Sequence, residues 1–149
     1  MYTPHTVTLY NLFVQSDPET LEETTETYIT VLRGVFLDQS KGTNVRTSGL
    51  EGADSANLYI PLSVSAVDGQ SGQPKRFVSE VEFIMAEDKS DIWTLGVGRN
   101  THFIKGEVVV PETSVSLIEM THDHVYVVTK VDLKDYGSPS MQHWEVGGV

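Results

Sequence analysis

The sequence predicts a mainly β protein, a small antiparallel β-barrel or sandwich with long loops and at most one or two short helices. Three observations predict it: apolar and polar residues alternate with a period of two, a helical period is weak throughout, and glycine-rich turn signals separate the alternating segments. The length of 149 residues suits one domain that can bury a core. We therefore expect a single domain over residues 1–149.

Two strands are predicted near the N-terminus. The first covers residues 5–14, in which Val7 and Leu9 face inward. The second covers residues 28–38 and is rich in β-branched and aromatic residues, which favour strands. Gly34 in its middle predicts a bend or a bulge.

An acidic segment, residues 16–26, separates these two strands. It contains five acidic residues and no basic one. Ser16, Pro18 and Glu19 suit a capped helical turn, and a solvated hairpin tip fits the composition equally well.

A long polar segment, residues 39–54, follows the second strand. It holds Gly42, Gly49 and Gly52 among mostly small polar residues, and its charges balance. Loops of this length are uncommon in compact domains and are often functional. The segment is therefore either a mobile surface loop or a working loop.

The third strand has the clearest alternation in the chain. Its inward face is predicted to hold Ala56, Leu58, Ile60, Leu62 and Val64. Pro61 cannot donate a ladder hydrogen bond, so it indicates an edge or a bulge.

Residues 69–92 form an insertion whose structure the sequence leaves open. One interpretation is a helix in which Ser79 and Glu82 make a capping box. The apolar face of that helix would consist of Phe77, Val81, Ile84 and Met85. The alternation over residues 77–83 fits a strand nearly as well.

Two further strands are predicted, at residues 102–110 and 124–133. In the second of them, the residues expected to share one face are Val125, Val127, Thr129, Val131 and Leu133.

The final segment, residues 135–149, carries apolar side chains where chain ends are usually polar. Residues 142–146 are predicted to form a last strand. This strand either closes the protein's own sheet or docks on a neighbour by adding to a sheet edge. The candidate interface residues are Tyr136, Met141, His143, Trp144 and Val146.

The formal net charge is −11, from 10 basic and 21 acidic residues. This balance argues against a groove that grips nucleic acid, because phosphate contacts need Lys and Arg. The acidic excess serves either solubility or a surface that DNA passes without adhering. No secretion or membrane-spanning segment is predicted, and the absence of cysteine excludes disulfides and thiolate metal sites. An intracellular origin is the simplest expectation.

No catalytic constellation is evident in the sequence. It lacks a phosphate-binding loop, a dinucleotide fingerprint and a nucleophile elbow. His122 and His124, with Asp123 and the later His143, have residue types that bind zinc. A polar turn explains them as well, because no third ligand follows at a recognisable spacing. We predict no enzyme activity, no cofactor and no metal.

The two tryptophans admit two interpretations. Trp93 and Trp144 would suit stacking on a sugar or a base. Core packing or an oligomer interface explains them more economically.

The layout resembles the head-closure proteins of long-tailed bacteriophages, also called head–tail connectors or stoppers. Those are small β-barrels with a long loop between the second and third strands and a closing pair of strands near the C-terminus. The matching parts here are residues 28–38, 39–54 and 56–67, then THFIKGEVVV and HVYVVTKVDLKDYGSPSMQHWEV. The ending DYGSPSMQHWEVGG is also similar to that of an uncharacterised family from phages and prophages of Gram-positive bacteria. The insertions at residues 16–26 and 69–92 depart from the short connectors.

The resemblance implies a structural virion protein that is made in the bacterial cytoplasm and forms a ring, a hexamer, at the head–tail junction. The ring would close the capsid channel or join it to the tail. Its neighbours would be portal or adaptor and tail ring proteins, and DNA would pass without sequence-specific binding. The implied channel or plug residues are Lys41, Gly42, Asn44, Arg46, Gly49 and Glu51. The alternatives are a tail-tube or tail-terminator protein and a monomeric β-sandwich binding module.

Overall fold

The structure, a computed structural model, describes residues 2–46, 49–52, 54–108 and 125–149. Within these residues the chain is mainly β, with one short α-helix and one 3-10 turn at Pro139–Met141. The first half contains β1 (His5–Ser16), β2 (Glu23–Ser40), β3 (Thr43–Arg46), β4 (Gly49–Gly52), β5 (Ser55–Pro61) and β6 (Ser65–Asp68). The second half contains β7 (Arg76–Phe77), α1 (Glu80–Met85), β8 (Ile92–Trp93), β9 (Gly98–Lys105), β10 (Tyr126–Lys134) and β11 (His143–Gly148).

Six strands pair into a closed antiparallel ring. Its order is β1, β9, β10, β11, β5 and β2, and β2 pairs with β1 to complete the circle. β6 pairs with β2 next to β5, on the edge of β2 that β1 does not use. The predicted fold class is therefore confirmed, and its form is a ring of strands rather than two stacked sheets.

The main core fills the inside of this ring. β5 illustrates the pattern, because Ala56, Leu58 and Ile60 are buried while Asn57 between them is exposed. Pro61 is the last residue of β5, which pairs with β11 on one edge and β2 on the other. It therefore marks the break between β5 and β6 and does not lie in an edge strand.

A bulge in β2 lies where the sequence indicated one. Thr6 pairs with Arg33 and His5 pairs with Val35, so Gly34 has no partner across the ladder. Gly34 has a φ of +86°, a conformation that glycine adopts without steric cost.

A second bulge, at Thr129 in β10, overturns the predicted face of that strand. Val128 pairs with Gly148 and Lys130 pairs with Gly147, which leaves Thr129 as the extra residue. Before the bulge, Tyr126 and Val128 point into the core. After it, Val131 packs against the core. Leu133, expected inside, is 52% exposed.

The neighbouring strand β9 also differs from its predicted bounds. It begins at Gly98, before the predicted start at residue 102, and ends at Lys105. Residues 109–110 of the predicted strand and residue 124 of the next lie outside the described residues.

α1 decides the open interpretation of residues 69–92 in favour of a short helix. The Ser79 side chain caps it by accepting a hydrogen bond from the Glu82 N–H at 3.2 Å. The predicted apolar face was wrong, because Val81, Ile84 and Met85 are 71%, 55% and 76% exposed.

The helix instead buries Phe83, which belongs to a small cluster outside the ring. Phe83 packs there with Val78 and Ile92. Phe13 of β1 and Tyr28 of β2 cover this cluster, and the Tyr28 and Phe83 rings meet edge to face at 5.7 Å. α1 therefore packs against both long N-terminal strands through Phe83.

No helix in the described part of the chain is long and apolar enough to cross a membrane.

Candidate interaction surfaces

The segment predicted as a long loop, residues 39–54, contains a β-hairpin. β2 extends to Ser40, and β3 and β4 then pair in the same register that β2 and β5 follow. The described strands thus continue one long hairpin outward from the ring. At its base, the Gly42 N–H donates to Asp54 Oδ1 at 3.2 Å.

The candidate channel residues fall along this β3–β4 hairpin. Asn44 and Arg46 lie on β3, and Gly49 and Glu51 lie on β4. Lys41 and Gly42 are exposed between β2 and β3. The hairpin therefore brings these six positions onto one protruding element.

A second hairpin protrudes where β1 and β2 meet. Residues 14–26 are all exposed, and we call them the acidic arm. At its tip the Asp17 N–H donates to the Glu22 carbonyl and the Leu21 N–H donates to the Asp17 carbonyl. Of the two interpretations of the acidic segment, the hairpin tip is confirmed.

The acidic arm and the β3–β4 hairpin extend from opposite ends of β2. This strand has 18 residues, which gives it a contour length of about 60 Å. Its central part, residues 29–37, carries the side chains that it buries in the protein. The ring therefore has one projection at each end of its longest strand.

The C-terminal strand closes the protein's own ring. β11 pairs with β10 on one edge and with β5 on the other, so neither edge is open to a neighbour. Trp144 and Val146 are core residues, 9% and 1% exposed, and their prediction as interface residues was wrong. Tyr136 and Met141 are 69% and 54% exposed and remain on the surface.

A row of aromatic rings crosses the outer face of four strands. His5, Phe36, Tyr59 and His143 follow one another with ring centroids 5.6, 5.8 and 6.0 Å apart. Tyr2, 76% exposed, helps to enclose a shallow pocket of about 410 Å³ beside this aromatic row. Partly exposed aromatic clusters are typical of protein interfaces.

The two histidines of the aromatic row are held in place. His5 Nδ1 accepts a hydrogen bond from the Leu37 N–H at 3.0 Å. Nδ1 of His143 lies 2.7 Å from the Met141 carbonyl, and its Nε2 lies 3.1 Å from Glu145 Oε1. Of the aromatic row, only His143 was singled out from sequence.

Trp93 and Trp144 pack inside the protein. They are 2% and 9% exposed, and their rings meet at 5.8 Å. Phe77 contacts both, with centroid distances of 5.1 and 4.5 Å. The core-packing interpretation is confirmed, and neither ring is available to stack on a ligand.

The zinc hypothesis concerns residues that lie largely outside the described part of the chain. His122, Asp123 and His124 are not described. In the residues that are, no three His, Asp or Glu side chains come close enough to hold a metal ion. The prediction that these residues form a polar turn and hold no metal therefore stays a prediction.

One protein family covers nearly the whole chain, so both hairpins and the ring fall within it. The match is to a family of unknown function, DUF6751, over residues 2–149. No curated protein and no solved structure matches the chain. The chain belongs to the DUF6751 family.

Proposed function

We propose that this protein is a structural virion protein of a tailed-phage head–tail junction, where identical subunits form a ring that closes the capsid channel or joins it to the tail. The observation that carries the proposal is the pair of hairpins at opposite ends of β2. A connector needs two such ends, because it must meet one structure above and another below.

Ring symmetry gives each projection a collective role. In a ring of identical subunits every element recurs around the axis. The β3–β4 hairpins would converge toward the channel, where their glycines at positions 42, 49 and 52 allow hinge motion when DNA is released. The acidic arms would extend the opposite way, toward an adjoining ring.

The charge of the chain fits a channel that DNA passes. Each chain has a net charge of −11. The surface of a ring of such subunits would repel phosphates, and it would hold few of the basic groups that retain DNA. The segment of residues 41–54 carries Lys41 and Arg46 against Glu51 and Asp54, so its charges balance.

The aromatic row is the candidate contact between subunits. Phe36 and Tyr59 lie on β2 and β5. Both strands are paired on both edges within the ring of strands, so the row is a rigid surface. Rigid aromatic side chains bury large areas at little entropic cost and commonly dominate interface energies.

Deletion of the gene from a phage or prophage that carries it tests the proposed function. We expect heads that lose their DNA and tails that remain unattached, both visible by electron microscopy, and restoration by the wild-type gene. A variant in which residues 41–54 are replaced by a short turn is expected to restore joining but not DNA retention.

Two outcomes would oppose the proposal. Normal infectious particles in the absence of the protein would exclude a structural role at the junction. Closed, DNA-filled heads without normal tails would assign the protein to the tail tube or the tail terminator instead.

A further inference from the structure

A groove of about 270 Å³ lies where the acidic arm leaves the ring. One wall is β1 and the other is α1, and the floor is the segment that precedes β9. The residues that matter for its chemistry are Asn11, Leu12, Val14, Phe83, Ile84 and Thr94.

The floor of the groove is polar, and hydrogen bonds hold its groups in place. The Asn11 side chain, 1% exposed, donates from Nδ2 to the Thr94 carbonyl at 2.9 Å and accepts from the Thr94 N–H at 3.3 Å. The Gly96 N–H donates to Thr101 Oγ1 at 3.1 Å. Thr94 Oγ1 is buried and has no hydrogen-bond partner among the described residues.

One side of the groove is a strand edge that no described strand pairs with. The ladder between β1 and β9 ends at the pair Asn11 and Thr101, although β1 continues to Ser16. In the described part of the chain, no strand pairs with residues 12–16 on that edge. Such an edge accepts an added strand through main-chain hydrogen bonds.

The rims of the groove combine apolar surface with negative charge. Ile84 and Val14 are 55% and 47% exposed. Glu80 of α1 lines the groove. The adjoining acidic arm holds five carboxylates, and Glu82, Glu87 and Asp88 lie on or just after α1. Lys89, in the same region, is 6% exposed, donates to the Ala86 carbonyl and lies 4.2 Å from the Phe13 ring centroid, so it adds little positive charge to the rim.

We infer that this groove is a docking site for an extended, basic segment of a partner protein, which adds as a strand to residues 12–16 and places an apolar side chain against Ile84. Charge complementarity selects this occupant, because opposite charges steer association and suppress wrong partners. A second copy of this chain would bring the same carboxylates to the groove. The inference does not depend on the proposed role at the head–tail junction.

The test is a titration of the ¹⁵N-labelled protein, followed by NMR, with a short peptide in which lysine alternates with valine around a central phenylalanine. We expect amide shifts at residues 12–16, 94–101 and α1, and an affinity that falls as salt is added. Ile84→Arg is expected to weaken binding about tenfold. Val81→Arg makes the same charge change on the same helix, outside the groove, and is expected to weaken it far less.

Two further peptides sharpen the result. Replacing the lysines by glutamates should abolish the shifts, and N-methylation of alternate peptide amides should weaken them if main-chain pairing holds the strand. Equal binding by the acidic peptide, equal effects of the two arginine variants, shifts elsewhere or no shifts at all would overturn the inference. Concentration-dependent shifts of the same amides without peptide, lost in Ile84→Arg, would assign the groove to a second copy and also overturn it.

Discussion

Asn11 joins two parts of the interior that no strand pairing connects. Its side-chain amide bonds both the N–H and the carbonyl of Thr94, at 3.3 and 2.9 Å, in a position where water does not reach. A buried backbone group that loses its partner costs far more than the net gain of an ordinary hydrogen bond. The pairing of the Thr94 backbone in the groove floor therefore depends on this side chain.

Asn11→Ala is expected to lower the free energy of unfolding by about 2–4 kcal/mol, because it leaves two buried backbone groups unpaired. Urea unfolding followed by circular dichroism measures the change. Asn57→Ala, on the exposed face of β5, is the matched control and should change stability by less than about 0.5 kcal/mol. Equal effects of the two substitutions would contradict the role given to Asn11.

The Lys75 side chain is fully buried and every one of its protons has an acceptor. Its ammonium donates to the Ile29 carbonyl and to Thr30 Oγ1, each at 3.1 Å, and pairs with Asp68 Oδ1 at 3.2 Å. Burial lowers the pKa of Lys75, and the Asp68 carboxylate partly offsets this. Burial alone would raise the pKa of Asp68. Hydrogen bonds from Ser71 and the charge of Lys75 outweigh the effect of burial, and the pKa of Asp68 is therefore lowered.

The lowered pKa of Asp68 predicts an acid-sensitive contribution to stability. This contribution is complete above the ordinary carboxyl pKa of 3.8 and is lost as pH falls through the lower folded-state value. Asp68→Asn should therefore cost roughly 1–3 kcal/mol at neutral pH and progressively less in acid. Urea unfolding over a pH series measures this difference, with the exposed Asp135→Asn as control. A cost that is independent of pH would contradict the assignment.

β11, which the sequence left open as a docking strand, closes the ring of strands. Its two adjacent glycines, Gly147 and Gly148, lie in different surroundings. A Cβ added at Gly148 would lie 2.8 and 2.9 Å from ring carbons of Phe103, which is fully buried and stacked on Tyr126. A Cβ at Gly147 would meet only ordinary contacts at 3.5 Å. Of these two adjacent glycines, only Gly148 is therefore required to be glycine by the packing around it.

Gly148→Ala is expected to destabilise the protein by about 1–3 kcal/mol, because the Phe103 ring must shift. Gly147→Ala should be neutral or stabilise by up to about 1 kcal/mol, since it restricts the unfolded chain. Thermal unfolding of the two variants under identical conditions makes the comparison. If β11 served as a docking strand, neither substitution would alter the stability of the isolated subunit.

The sequence predicted the strands whose alternation is uninterrupted. β5 and the start of β11 were found because buried residues alternate with more exposed ones, and the bulge in β2 was marked by Gly34. β1 was found from Val7 and Leu9, although residues 7–11 are buried on both faces. The face of β10 was missed because its bulge falls at Thr129, a residue type that signals no irregularity. Period-two analysis assumes a constant phase, and one unmarked bulge reverses it.

The candidate surfaces were less accessible to sequence reasoning. Phe36, Tyr59 and His143 lie on different strands, and they become neighbours only through the strand register. The groove likewise needs β1, α1 and the segment before β9 to be brought together. Trp144 and Val146 were predicted as interface residues because apolar side chains are unusual near a chain end. Their position in the sequence does not indicate which strands β11 pairs with.

At the scale of the whole molecule, β2 organises both projections. Its first end pairs with β1, and the two strands together form the acidic arm. Its opposite end leads into the β3–β4 hairpin. α1 packs at the base of the arm, and the closed ring of strands lies between the two projections. Two projections on opposite sides of one ring of strands agree with the proposed place between two larger structures.

The most direct test is a cryo-electron microscopy map of the neck in particles from a strain that encodes the protein. We predict a ring of density at the head–tail junction into which the six-stranded subunit fits, with the β3–β4 hairpins toward the channel and the acidic arms toward an adjoining ring. Complete tailed particles whose neck density and peptide mass spectra lack this protein would contradict the proposed function.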